Sequence, residues 1–138
     1  MPAPVCLAMV VCDSFYKDPF TGKHTLIGTF SGLMGTEFPL THPHITINVA
    51  LTDGHGRSVL RLEMVDVDEE REAVFNFDGT VTFAHPRDVV KICFKTPAVS
   101  VPEAGEYRLR LFADGEFIME RTILATLPEG FADDDEFE

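Results

Sequence analysis

Apolar and polar residues alternate with a period of two along the whole of this chain. No window of a dozen residues keeps a 3.6-residue period free of Gly, Pro or β-branched interruption. Side chains change face at every residue only in an extended strand, so the pattern commits the chain to β-sheet and excludes a helical bundle. The breaks in the pattern are turn chemistry: Asp18-Pro19-Phe20-Thr21-Gly22-Lys23, Asp53-Gly54-His55-Gly56, Asp78-Gly79, Glu103-Ala104-Gly105-Glu106 and Asp114-Gly115.

Between these breaks the strands can be assigned. Val5 to Cys12 is apolar on both faces and reads as a central strand, paired through the Asp18–Lys23 turn with a second strand from His24 to Leu33. His44 to Thr52 points Ile45, Ile47, Val49 and Leu51 inward and Thr46, Asn48 and Thr52 outward. After Asp53-Gly54-His55-Gly56 the pattern resumes with Leu60, Leu62 and Met64 on one face and Arg61 and Glu63 on the other, the strongest hairpin signal in the chain. Val74 to Phe83 reads as a strand pair or one bent strand around Asp78-Gly79, and Asp88 to Lys95 sets Val90, Ile92 and Phe94 against Lys91, Cys93 and Lys95. Pro97 and Pro102 confine the following segment to an edge or loop, and Tyr107–Leu111 and Phe117–Leu127 close the domain as an antiparallel pair. The expected fold is all-β: an antiparallel β-sandwich of seven to nine strands, immunoglobulin-like or of similar Greek-key order, over residues 1–128, with a flexible acidic C-terminal tail over residues 129–138. An immunoglobulin Cys-Trp-Cys core is excluded, because the chain has no Trp.

At 138 residues, 45% hydrophobic and with 12 Phe, the chain can build one good core and is not a disordered polymer. Its longest apolar run, Val5 to Cys12, falls well short of the roughly 20 residues a membrane-spanning helix needs. MPAPVCLAMVVC has neither a basic leading region nor a small-residue cleavage pattern, so an export signal is not expected and the cytoplasm is the expected location. Cys6, Cys12 and Cys93 are odd in number and match no zinc or redox spacing, which reads as reduced, buried thiols. The formal charge is −12, and six of the 23 acidic residues lie from Glu129 onward. Neutralising phosphate needs clustered Lys and Arg, so this balance argues against nucleic-acid binding and against docking on anionic lipid.

No catalytic motif is present. Ser14 beside Asp13 lacks the glycines of a nucleophile elbow, and Thr21-Gly22-Lys23 lacks the upstream glycine and following helix of a phosphate loop. His42-Pro43-His44 has the i, i+2 spacing that puts two imidazoles on one side of a strand, without a third ligand motif nearby. Calcium is the one cofactor to consider, because it takes several loop carboxylates, and Asp13, Asp18, Asp53, Asp66, Asp68 and Asp114 fall near strand ends. Of these, Asp13, Asp18, Asp66 and Asp68 are the metal candidates, with turn formation as the competing role for each. The outward charges Arg61, Glu63, Lys91, Lys95, Arg108 and Arg110 would form a mixed-sign stripe if their strands were neighbours. In the tail, Phe131 and Phe137 flank Asp133, Asp134, Asp135 and Glu136 as apolar anchors flank the charges of a recognition peptide, whereas the same acids could serve only solubility.

The stretches Cys12-Asp13-Ser14-Phe15-Tyr16-Lys17-Asp18-Pro19, Thr21-Gly22-Lys23, Thr25 to Phe30, Pro102 to Arg108 and Phe112-Ala113-Asp114-Gly115 resemble a family of small bacterial β-sandwich proteins without assigned activity. The resemblance runs to about Leu127 and leaves out the tail. It implies a fold and no functional residues. The expected function is a non-enzymatic protein-binding or assembly module whose partner is another protein, with a homo-oligomer also open. The alternatives are a calcium- or ligand-binding sandwich using Asp-rich loops and a small acidic-tailed chaperone-like protein.

Overall fold

The computed structural model describes residues 3–68 and 72–128. They form eleven strands and no helix: β1 (Val5–Lys17), β2 (His24–Thr29), β3 (Gly32–Met34), β4 (Leu40–His42), β5 (Thr46–Thr52), β6 (Gly56–Asp66), β7 (Phe75–Phe83), β8 (Val90–Lys95), β9 (Val99–Val101), β10 (Gly105–Ala113) and β11 (Glu116–Thr126). The expected seven to nine strands fall short because β3, β4 and β9 are three residues each, too short for alternation to declare them.

A four-stranded sheet has the order β2-β1-β5-β8, a five-stranded sheet the order β3-β11-β10-β6-β7, and β4 pairs with β9 apart from both. All pairings are antiparallel except β11 with β3, which is parallel over Leu124–Thr126. One buried cluster draws on both larger sheets, with Met9, Val11, Ile47, Val49, Leu51 and Phe94 from the first and Leu60, Leu62, Met64, Val81, Phe83, Leu109, Leu111 and Ile123 from the second. Burying aliphatic and aromatic side chains at about 25 cal/mol per Å² is what drives the two sheets together.

Two expected pairings are corrected. Asp53-Gly54-His55-Gly56 does not close a hairpin: β5 belongs to the four-stranded sheet and β6 to the five-stranded one, so these residues carry the chain from one sheet to the other. Asp53 has φ +61 and Gly56 φ +72. A Cβ on Gly54 would run into the Phe83 ring, which is why the crossing is made with glycine. The expected strand from His24 to Leu33 is likewise split, its first part in β2 and its last, with buried Leu33, in β3 of the other sheet. Across Asp78-Gly79 the chain runs straight on as β7, paired with β6 from Met64↔Phe75 to Gly56↔Phe83.

The third correction concerns the outward face of β5. Thr46 and Asn48, expected in solvent, are 1% and 7% exposed. Their cover is the far half of the β1–β2 hairpin. Thr46 Oγ1 donates to the Asp13 carbonyl at 3.4 Å, and Asn48 Nδ2 lies 3.0 Å from His24 Nδ1. His24 pairs with Lys17 at the distal end of the hairpin, so that end reaches back across β1 to stand over β5. Gly28, opposite Asp13, has φ +69, and a Cβ there would come within 2.6 Å of the Asp13 carboxylate.

Candidate functional site

Beneath the folded-back hairpin lies a polar cluster built on β5. Asn48 Nδ2 donates to Cys93 Sγ on β8 at 2.9 Å and approaches His24 Nδ1 at 3.0 Å. With the amide as donor, Nδ1 is the bare nitrogen and the imidazole proton sits on Nε2. The Phe15 and His24 rings are 5.2 Å apart. Burial, followed by Lys91 and Lys17, pushes the His24 pKa below its ordinary value. Burial also pushes the Cys93 and Cys12 thiols up. Through Asn48 the imidazole on β2 is tied to β5 and to the Cys93 thiol on β8, a contact that joins hairpin to sheet.

A second locus lies where the two larger sheets meet at their margins. β1 pairs with β5 from Val5 to Cys12, but with β2 only from Cys12 onward. Among the described residues no strand pairs with its other edge over Val5–Val10, with Phe30 N–H reaching the Val11 carbonyl just beyond. β11 is similarly unpaired on its outer side from Glu116 to Ile123, since β3 meets it only at Leu124–Thr126. Arg121 stands opposite Leu109 on the core-facing side of β11 and donates from Nη1 to the Met9 carbonyl on β1 at 2.7 Å. It lines a cleft of about 380 Å³ with Val10, Val11, Thr29, Phe30 and Ser31.

The outer face of the five-stranded sheet carries the charge ladder. Glu106 and Glu120 hold Arg108 at 2.7 and 2.8 Å, Glu120 meets Arg110 at 3.3 Å, and Arg61 meets Glu63 at 3.5 Å. The expected stripe is thus real for Arg61, Glu63, Arg108 and Arg110, whereas Lys91 and Lys95 lie on β8 in the other sheet. Exposed pairs of this kind contribute about 0–1 kcal/mol each. A groove of about 720 Å³ at the end of this face is lined by Val59, Arg61, Glu63, Asp78, Phe112 and Asp114.

The metal candidates are dispersed. Asp13 lies beside Gly28, and Asp18 Oδ1 accepts from the Phe20 and Thr21 N–H groups at 2.8 and 3.4 Å as a turn-former. Asp114 Oδ1 accepts from the Val59 N–H at 3.0 Å. Asp66 and Asp68 line a separate cleft of about 540 Å³ with Glu103 and Glu106. Among the described residues no group of three or more His, Cys, Asp or Glu side chains converges to hold a metal ion. His42 packs on Phe30, with ring centroids 5.6 Å apart, while His44 is exposed. Cys6, Cys12 and Cys93 are free thiols. Phe131, Asp133, Asp134, Asp135, Glu136 and Phe137 lie outside the described residues. No helix is long and apolar enough to cross a membrane among the described residues.

Neither Asn48 nor Arg121 stood out as a site residue in the sequence, though both carried a signal. Asn is depleted in strands, yet Asn48 sits amid Ile45, Ile47, Val49 and Leu51. Arg121 falls on the apolar face of its own alternation, between Met119 and Ile123. A polar group in such a place needs a partner in the fold.

No curated protein matches the chain. The resemblance read from its turns and strands is supported by a family match over residues 7–126, which covers nearly all of β1 through β11. On that match the chain belongs to a family of unknown function (DUF6941).

Proposed function

We propose that this chain is a non-enzymatic protein-binding module, a Greek-key β-sandwich that takes an extended segment of a partner protein along the open edge of β1. The sandwich reading is supported by the core shared between the two larger sheets. It is supported also by Tyr107, whose hydroxyl donates to the Glu103 carbonyl at 2.7 Å and accepts from the Glu103 N–H at 3.4 Å, the corner contact of Greek-key sandwiches. The observation that carries the function is the edge of β1 over Val5–Ala8, beside which no described strand lies, with Leu7 54% exposed on it. Main-chain donors and acceptors on an open edge are a template for an added strand, and neighbouring side chains supply the selectivity. The Cys93 thiol and the His24 imidazole, by contrast, both meet Asn48, and the Cys6 and Cys12 thiols donate to the Ala8 and Ser14 carbonyls, which serves structure.

The test is selection from a displayed random-peptide library on the immobilised protein, run in parallel on Leu7→Pro, which removes a main-chain N–H within that stretch and restricts its backbone, and on Thr82→Lys as a remote surface control. The expected result is enrichment of extended sequences on the wild type and on Thr82→Lys, lost on Leu7→Pro at unchanged melting temperature. Enrichment that survives Leu7→Pro, or none above a bare support, would sink the reading.

A further inference from the structure

We infer that the cleft between β1 and β11 is a carboxylate-binding site in which Arg121 is the recognition residue, and that its ligand is a carboxylate borne by the extended peptide docked on β1. The inference deepens the reading above and rests on it only for the peptide as the source of the carboxylate.

Arg121 is half buried at the margin of the space between the sheets, and its protein partner is the Met9 carbonyl. Among the described residues no carboxylate lies within ion-pair distance of it, although the chain carries 23 acidic residues and Arg61, Arg108 and Arg110 all have acid partners. A guanidinium offers five N–H donors in a planar fork, and one bond to a neutral carbonyl leaves most of them unused. Taking such a charge partly out of water without a counter-charge is costly, so a structural tie alone would be served as well by a neutral donor. The cleft around the fork is lined by Thr29 and Ser31, both exposed and both bearing hydroxyl donors, and by Val10, Val11 and Phe30. Cationic fork, hydroxyls and apolar walls together fit a single carboxylate flanked by apolar residues, and Arg recognises that group bidentately.

The position favours a peptide source. Met9, whose carbonyl Arg121 takes, is on β1, and Arg121 itself is on the stretch of β11 that β3 does not reach, so a strand added to the edge of β1 along Val5–Ala8 ends beside the guanidinium. The net charge of −12 disfavours a run of acids, which selects a segment with one carboxylate among neutral residues.

The experiment is a nitrogen-15 NMR titration of the full chain with acetyl-Val-Thr-Glu-Val-amide, with its Gln counterpart and with sodium acetate, at matched ionic strength. The expected result is at least fivefold tighter binding of the Glu peptide than of the Gln peptide. Shifts should centre on Arg121 Nε–H, Val10, Thr29 and Ser31, and acetate should move the same signals. Arg121→Gln should abolish the preference for Glu. Because that variant also loses the tie to Met9, the wild-type comparison of the two peptides stands as an independent test. Equal affinity of the two peptides, acetate shifts centred elsewhere, or a Glu preference that survives Arg121→Gln would overturn the carboxylate site. Acetate acting at Arg121 while neither peptide binds would keep the anion site and overturn the peptide as its source.

Discussion

Asn48 Nδ2 and His24 Nδ1 are 3.0 Å apart although β1 lies between their strands in the sheet. That contact exists because the β1–β2 hairpin turns back at Asp13 and Gly28 over the face of β5. It joins the hairpin to β5 beside the Thr46–Asp13 bond, and its imidazole partner can take a proton.

His24 titrates below its ordinary value, chiefly through burial and then through Lys91 and Lys17. The unfolded chain therefore binds a proton that the folded chain resists. Its contribution to stability is complete above the unfolded value, about 6.5, and is lost as the pH falls toward the folded one. Melting temperatures measured between pH 8 and pH 5 should decline more steeply for the wild type than for His24→Gln. Parallel profiles would assign the decline to other groups.

Removing the amide at Asn48 should free both of its partners. Asn48→Ala is expected to cost about 1–2 kcal/mol in urea denaturation and to speed modification of Cys93 by a neutral-pH thiol reagent several-fold, because the hairpin then opens more often. Unchanged Cys93 reactivity would mean that the hairpin is held by Phe15 instead.

Gly28 should not tolerate a side chain. With φ +69 and the Asp13 carboxylate 2.6 Å from the place of a Cβ, Gly28→Ala combines left-handed strain with a collision, and a loss of about 1–3 kcal/mol is expected. In Gly28→Ala/Asp13→Ala the collision is gone and only the strain persists, so part of the loss should return. No recovery in the double variant would place the whole effect in the backbone.

Tyr107 is 2% exposed, and its hydroxyl both donates to and accepts from Glu103. Tyr107→Phe keeps the ring in the core and removes only the corner, with an expected loss of about 1–2 kcal/mol. A neutral outcome in equilibrium unfolding would show that the loop before β10 is held by packing alone.

Much of the fold could be read locally. The β10–β11 hairpin at Asp114-Gly115, the β1–β2 hairpin at Asp18–Lys23, the edge character of the segment around Pro97 and the inward set Ile45, Ile47, Val49 and Leu51 all stand as the alternation and turn residues imply. Asp53-Gly54-His55-Gly56 is ambiguous in sequence, because a tight glycine-rich connection looks the same whether it returns the chain beside its own strand or delivers it to another sheet. Thr46 and Asn48 are buried against expectation because alternation reports which residues share a face and says nothing of what covers that face.

Period and turn chemistry are properties of neighbouring residues, and they suffice for the longer strands, for the hairpin turns at Asp18–Lys23 and Asp114-Gly115, and for which residues of a strand share a face. That β5 and β6 part company, that Asn48 meets both His24 and Cys93, and that Arg121 meets β1 at Met9 follow from the three-dimensional arrangement alone. Those contacts join residues 24 to 112 positions apart. They depend on how separate strands are brought together in space, and no local pattern encodes that arrangement.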